Sequence, residues 1–376
     1  MLFVNPQRLQ NIPAAAGVSF LTDAASLLAM PDISVTQNEA AIKQLTGANN
    51  YTSIAPYYHP DPATETGFPY IRRDGVRNPE AAQTSDSKYL YNMLYAVQSL
   101  VIAYKTTGDA SHAARAVELL RFFFIAPATK MNPDLTYSQV VFGASRADLK
   151  IRGAVIDFDR FPLIVDFVEI LSATPSWTAE DTAVMKDWFT ALADWFVTSP
   201  RGIIQDGYSH NIKTSYVTQR VAYLCAADKR DEAIAYLNAN VPALLDAQID
   251  TEGKQALEMS RVTNRRYCEF NLTLLCRLAT MAGNLGVDLW NHVGENRIGS
   301  IKAAMLYMAQ FTMPGAVWPF SEEHLNTASS REWLRYGVAM YDDTALVDAY
   351  ARVKMYGVIS LPNYITTPPG PYIERA

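Results

Sequence analysis

The feature that most constrains this chain is a periodicity. From Ser85 onward apolar residues recur at spacings of three and four, in stretches that come two at a time with a short turn between them. Tyr89, Leu90, Met93, Leu94, Val97, Leu100, Val101 and Tyr104 draw one apolar stripe along a helix. Thr107-Gly108-Asp109 stops that helix and starts a second, His112 to Phe124, which ends before Pro127. The pattern repeats as Asp157 to Leu171 with Ala179 to Val197, as Tyr216 to Ala226 with Arg230 to Ala247, as Tyr267 to Ala282 with Ile298 to Gln310, and as Arg331 to Met340 with Thr344 to Tyr356. Strand-like alternation is scarce. The chain therefore reads as all-α, a series of helical hairpins. Because the hairpins share no strict sequence repeat, they fit an α/α toroid better than a solenoid.

The first 80 residues are less regular. Short helices are expected from Asp23 to Met30 and from Gln37 to Leu45. Residues 49–84 are rich in Pro, Gly and Tyr and carry Arg72, Arg73 and Arg77, which reads as a long ordered loop and a candidate lid. No Gly/Ser linker or charge run marks a second domain, so residues 1–376 are expected to form one catalytic domain.

Composition narrows the partners. A formal net charge of −6 argues against nucleic acid, although a local basic cleft can still accept a polyanion. No segment approaches the roughly 20 apolar residues that span a bilayer. Met1 to Gln10 lacks the apolar run of a signal peptide, so the expectation is a cytoplasmic chain, or a secreted or periplasmic one that begins after signal removal. Cys225, Cys268 and Cys276 have no paired spacing and read as buried thiols, and the five histidines form no metal-ligand pattern. No metal or organic cofactor is expected.

The chemistry concentrates in the segments between helices. Tyr70-Ile71-Arg72-Arg73-Asp74-Gly75-Val76-Arg77-Asn78-Pro79-Glu80 is the first, and Met131-Asn132-Pro133-Asp134-Leu135-Thr136-Tyr137-Ser138-Gln139 the second. Gly153-Ala154-Val155-Ile156-Asp157, then His210-Asn211-Ile212-Lys213 running to Gln219, then Glu258-Met259-Ser260-Arg261 running to Tyr267 and Asn271-Leu272 follow. Together and in this order they resemble the alginate lyase domain family, from about Tyr70 to Phe320. Asp288-Leu289-Trp290 and Trp318-Pro319 add to the likeness.

The resemblance implies an α/α toroid, an incomplete barrel of about six or seven helical hairpins, and β-elimination on an acidic polysaccharide. That reaction removes the C5 proton of a uronate and expels the C4 oxygen. Donors must neutralise the adjacent carboxylate, a base must take the proton and an acid must protonate the leaving oxygen. By the resemblance, Tyr267 is base and acid, Arg261 assists it, and Asn211 hydrogen-bonds the substrate carboxylate. Read without the resemblance, Tyr267 is one tyrosine among 21 at the start of a core helix, and Asn211 is a helix cap. Arg265 and Arg266 add positive charge nearby, Arg265 being equally readable as a solvated side chain.

The chain departs from the family pattern where the family His, directly after the Asn, is replaced by Ile212. His210, on the other side of Asn211, is the candidate to supply an imidazole. The departure favours a substrate that Tyr267 alone can cleave, polymannuronate foremost. Glucuronan, cleaved with His210 or Tyr267, is the alternative, and a uronate-binding protein without catalysis a further one. Arg73, Gln139, Arg72, Tyr70, Lys213 and Trp318 are the expected substrate-binding residues, with a loop cation, a helix cap or plain packing as their other readings. A glycoside hydrolase would need two carboxylates; Asp157 and Glu258 qualify by position alone.

Overall fold

The computed structural model describes residues 1–11, 24–83, 86–320, 327–354 and 365–366. It divides into two compact units. The first comprises Gly17–Gly207 and Tyr223–Lys229; the second comprises Met1–Ala16, Tyr208–Ala222 and Arg230–Ala376.

In the first unit the Ser87–Thr107 helix buries Leu90, Met93, Leu94, Val97, Leu100 and Val101, the stripe read from the sequence. Its stop is physical. Gly108 takes a left-handed backbone, φ 74°, and donates its N–H to the Tyr104 carbonyl, while the Asp109 carboxylate accepts from Ser111 N–H at 2.9 Å to cap the Ala110–Leu120 helix. That helix packs back on its neighbour and opens into a π-turn at Arg121–Ile125, where continuous helix was expected to Phe124. The expected Asp157 to Leu171 helix begins only at Ile164, after two 3₁₀ turns, Val155–Phe158 and Phe161–Leu163. Pro162, which has no N–H to give, sits in the second turn, and the Asp157 carboxylate is committed elsewhere.

The Ala179–Thr198 helix opens with a capping box between Thr178 and Asp181. Ser199 then closes it and caps a short Pro200–Asp206 helix that the sequence reading did not anticipate. Phe124, Phe158, Phe161, Trp188, Phe189, Phe196 and Tyr223 stack into one aromatic core. Each such ring buries a large apolar area, so this cluster contributes substantially to the unit's stability.

Residues 49–83 form an ordered loop held by its own small core. Tyr58–His59 pairs with Ile71–Arg72, and Val141–Phe142 with Leu149–Lys150, as two-residue antiparallel ladders; Ile54 bridges to Val140. Ile42, Ile54, Ala55, Tyr70, Ala81, Val140, Val141 and Phe142 are buried together beneath them. The expected Gln37 to Leu45 helix is instead a 3₁₀ turn, Val35–Gln37, and a separate turn of α-helix, Lys43–Thr46. Asn38 breaks it, with its side chain accepting from Ala40 N–H and donating to Asp86. Residues 24–28 are helical; Asp23 lies outside the described residues.

The second unit contains the Asn211–Ala226 helix through Ala222, then the Arg230–Gln248, Asn264–Asn284, Ile301–Ala309, Thr327–Met340 and Thr344–Lys354 helices. The Asn264–Asn284 helix packs against Thr327–Met340, which pairs in turn with Thr344–Lys354. Three helices start earlier than expected, at Asn211, Asn264 and Thr327 rather than Tyr216, Tyr267 and Arg331, because polar first turns carry no apolar periodicity. The last expected helix runs to Lys354; residues 355–356 lie outside the described ones. No helix among the described residues is long and apolar enough to cross a membrane.

Candidate active site

The second unit brings Asn211, Glu258, Arg261 and Tyr267 into one connected arrangement. Tyr267, half-buried, occupies the first turns of the Asn264–Asn284 helix, its N–H bonded to the Thr263 carbonyl at 3.2 Å. The turn before that helix carries Arg261, whose guanidinium lies over the Tyr267 ring, 3.7 Å from its centroid. Arg261 N–H in turn bonds the carbonyl of Glu258, at the end of the one-turn Ala256–Met259 helix. The intervening Val262 is 63% exposed, so this bend carries the two functional side chains at its ends and leaves its middle in solvent.

Asn211 is buried and is not a cap. His210 holds the position before the helix: its carbonyl accepts from Lys213 N–H at 2.7 Å, and its Nδ1 accepts weakly from Ile212 N–H at 3.5 Å. Asn211 instead gives its backbone N–H and one side-chain N–H to one carboxylate. Its backbone N–H reaches Glu258 Oε1 at 2.7 Å, and its side-chain Nδ2 reaches Glu258 Oε2 at 2.8 Å. Glu258 is 2% exposed. Burial pushes its carboxyl pKa up, and the two bonds from Asn211 and the charge of Arg261 draw it part of the way back.

The other residues expected here fall as follows. His210 lies against Tyr208, ring centroids 5.0 Å apart, and Lys213 places its ammonium over Tyr216 at 5.2 Å. Trp318 is buried and donates its indole N–H to Asn264, leaving little ring face for a sugar. Arg265 is not a solvated side chain. It is 4% exposed, hydrogen-bonded to the Phe311 carbonyl and close to Glu269, because the helix face it occupies turns inward; Arg266 is the exposed one.

Sequence reasoning missed a buried polar group behind these residues. Thr214, Gln248, Gln255 and Asn271 interlock through their side chains, and Gln255 also donates to the Cys268 carbonyl at 3.1 Å. The available signal was the four-residue spacing from Tyr267 to Asn271, which puts both on one helix face.

In the first unit, Gln139 sits at φ 55°, a left-handed backbone that non-glycine residues seldom adopt. Its amide donates to Asp157 Oδ1 at 2.6 Å. Asp157 also accepts from Tyr51, Ser53 and Ser138, so its carboxylate is occupied in holding three segments together. Tyr70 is buried, with its hydroxyl on Glu80 at 2.5 Å, and burial together with that carboxylate pushes its pKa up to about 12. Arg72 pairs with Asp74 at 3.0 Å. Arg73 and Arg77 are exposed and form no side-chain ion pair among the described residues. Among those residues no group of three or more His, Cys, Asp or Glu is arranged as metal ligands.

Comparison with solved structures gives the class. An alginate lyase from Bacteroides ovatus superposes with a TM-score of 0.84 at 28% identity, covering 98% of this chain and 99% of that one. Alginate lyase A1-III in complex with a tetrasaccharide matches at 0.57 and 14% identity, over 94% of this chain and 95% of the other. Alginate lyase A1-III from Sphingomonas species A1 matches at 0.51 and 14%, over the same shares. Those matches and the helical hairpins define an all-α chain of the α/α-toroid class. The alginate lyase family model matches residues 34–318, and the chain belongs to that family: it is a polysaccharide lyase. No curated protein sequence matches it.

Proposed function

We propose that this lyase cleaves an alginate-type uronate polymer, polymannuronate foremost, by β-elimination with Tyr267 as base and then acid. The observation that carries the reading is the Arg261 guanidinium stacked on Tyr267 at 3.7 Å. An ordinary phenol, with a pKa of about 10, is a poor base at neutral pH, and positive charge held against it favours the phenolate. Asn211 lies in the first turn of one helix and Tyr267 in the opening turns of another, and neither helix has an acidic residue in its first turn. The Glu258 carboxylate already sits on the first N–H of the Asn211 helix, so it is the end of the Asn264–Asn284 helix whose partial positive charge favours an anionic ligand.

In this reading Asn211 donates its second amide hydrogen to the substrate carboxylate, and stabilises the charge that builds there when C5 loses its proton. Tyr267 takes that proton and returns it to the departing C4 oxygen. One residue serves both steps only when the C5 hydrogen and C4 oxygen share a face of the ring, as in mannuronate. Glucuronate differs from mannuronate at C2 alone, so glucuronan is open to the same chemistry; guluronate, inverted at C5, is not. His210, its ring against Tyr208 and its Nδ1 facing Ile212 N–H, takes no proton-transfer step in this reading. An acidic polysaccharide is the proposed partner, with Lys213 the further cation of this unit proposed to bind it.

The test is the ultraviolet absorbance of the unsaturated uronate end on polymannuronate, glucuronan and polyguluronate, with Tyr267→Phe alongside. The expected result is product from polymannuronate that Tyr267→Phe abolishes. Product formation that survives in Tyr267→Phe would overturn the assignment of Tyr267.

A further inference from the structure

The geometry points to Glu258 as the positioning residue of this site, a buried carboxylate that fixes which way the Asn211 amide faces. The inference rests on the reading of Asn211 and Tyr267 given above. A carboxylate only accepts, so with Oε2 2.8 Å from the side chain of Asn211, the atom facing it must be the Nδ2 donor and not Oδ1. The bond from Asn211 backbone N–H to Oε1, at 2.7 Å, holds the carboxylate in the plane that makes this so. The second Nδ2 hydrogen is then set in one direction as a donor, the property that recognition of a substrate carboxylate requires. Free rotation of the amide would present Oδ1 half of the time, and Oδ1 would repel that carboxylate.

A second feature ties Glu258 to the base. Its charge is felt by Arg261, the residue stacked on Tyr267. Glu258 is thus joined through its carboxylate to the amide proposed to bind the substrate and through its backbone carbonyl to Arg261, proposed to favour the phenolate. A carboxylate buried to 2% exposure without a strong partner is costly, and a glutamine here would avoid that cost. The acid is what a donor-facing Asn211 demands.

Glu258→Gln tests this with the shape of the side chain unchanged. The Asn211 backbone N–H keeps the glutamine oxygen, so the new NH₂ group faces the Asn211 side chain, which must turn over and present Oδ1. The expected result is a fall in kcat/KM on polymannuronate of about 100-fold, the loss typical of one misdirected active-site donor, carried by both a raised KM and a lowered kcat. If Glu258 works through Asn211, the double variant Asn211→Ala, Glu258→Gln loses no more than Asn211→Ala alone. Glu258→Asp keeps the charge and withdraws it by one methylene; it is expected to lose about tenfold, with KM moving most, and stands in if circular dichroism finds Glu258→Gln unfolded.

Wild-type activity in Glu258→Gln, or in Glu258→Asp where that is the folded variant, would overturn the proposal. Losses that add in the double variant would do the same, since Glu258 would then act independently of Asn211. Failure of the underlying reading looks different: Tyr267→Phe would keep its activity, or wild type would give no product on any uronate polymer.

Discussion

Thr214 and Asn271 meet through a 2.9 Å hydrogen bond between the hydroxyl of one and the side-chain carbonyl of the other. Thr214 lies three residues beyond Asn211, and Asn271 four beyond Tyr267, so the bond joins the two helices one turn behind the residues proposed to bind and to deprotonate the substrate. Gln248 and Gln255 complete the group by accepting from Asn271 Nδ2 at 3.0 and 2.9 Å. All four side chains are buried. The site is therefore registered from behind by a satisfied polar layer, which fixes geometry more sharply than apolar packing does.

Removing Asn271 breaks that layer. In Asn271→Leu the carbonyls of Gln248 and Gln255 lose a donor they share, at a cost of about 3 kcal/mol in unfolding free energy. Urea denaturation measures it. A loss under about 0.5 kcal/mol would mean that water or a rearranged amide satisfies both carbonyls. The same variant is expected to lower kcat/KM, because Tyr267 sits one turn away on the same helix face.

Arg261 distinguishes charge from stacking. Arg261→Ala removes both and is expected to lower kcat about 100-fold. Arg261→Lys keeps the charge but cannot lie flat on the Tyr267 ring, so its activity is expected to fall between wild type and the alanine variant. Initial rates at saturating polymannuronate decide the matter; wild-type kcat in Arg261→Ala would remove the guanidinium from the mechanism.

How much of this was legible in the sequence depends on how far apart the interacting residues are. The helices and the Gly108 stop were readable because their cause is local: a period of three to four, a left-handed glycine, an aspartate cap. The segment from Val155 to Leu163 was not, because Asp157 is held by Tyr51, Ser53 and Ser138, partners far away in the chain. Asn211 had the look of a cap for the same reason: its real partner is 47 residues on, and nothing in the spacing announces it. Arg265 resembled a surface cation, although Glu269 four residues later was a visible hint of its partner. The long loop could be recognised as ordered, but its small core depends on residues 140–142, which no local pattern connects to residue 70.

The exposed cations of the first unit should affect binding rather than turnover. Arg73→Ala and Arg77→Ala each remove a charge that no acid of the described residues neutralises. Each is expected to raise KM on polymannuronate about threefold at low salt, leaving kcat unchanged, and the difference from wild type should shrink as ionic strength rises and screening shortens the reach of the charge. A KM unaffected at low salt would assign both side chains to the solvated surface.

Glu258 should also leave its mark on pH dependence. Burial raises its folded-state pKa above the ordinary glutamate value, with the bonds from Asn211 and the charge of Arg261 opposing the rise. The fold thus favours the protonated acid. Stability from this group is fully present below the unfolded pKa and is lost as pH rises through the folded one. Glu258→Gln, which never ionises, escapes that loss, so its melting temperature relative to wild type is expected to be higher at neutral pH than near pH 4. Activity runs the other way. Protonated Glu258 offers a hydroxyl to Asn211 and allows the amide to turn over, so wild-type kcat/KM is expected to fall on the acid side at a pH above the ordinary glutamate range. In Glu258→Gln the profile should be flat there, at a lower level. Melting curves and kcat/KM collected together from pH 4 to pH 8 check both halves, and an acid limb that persists in Glu258→Gln would assign it to another group.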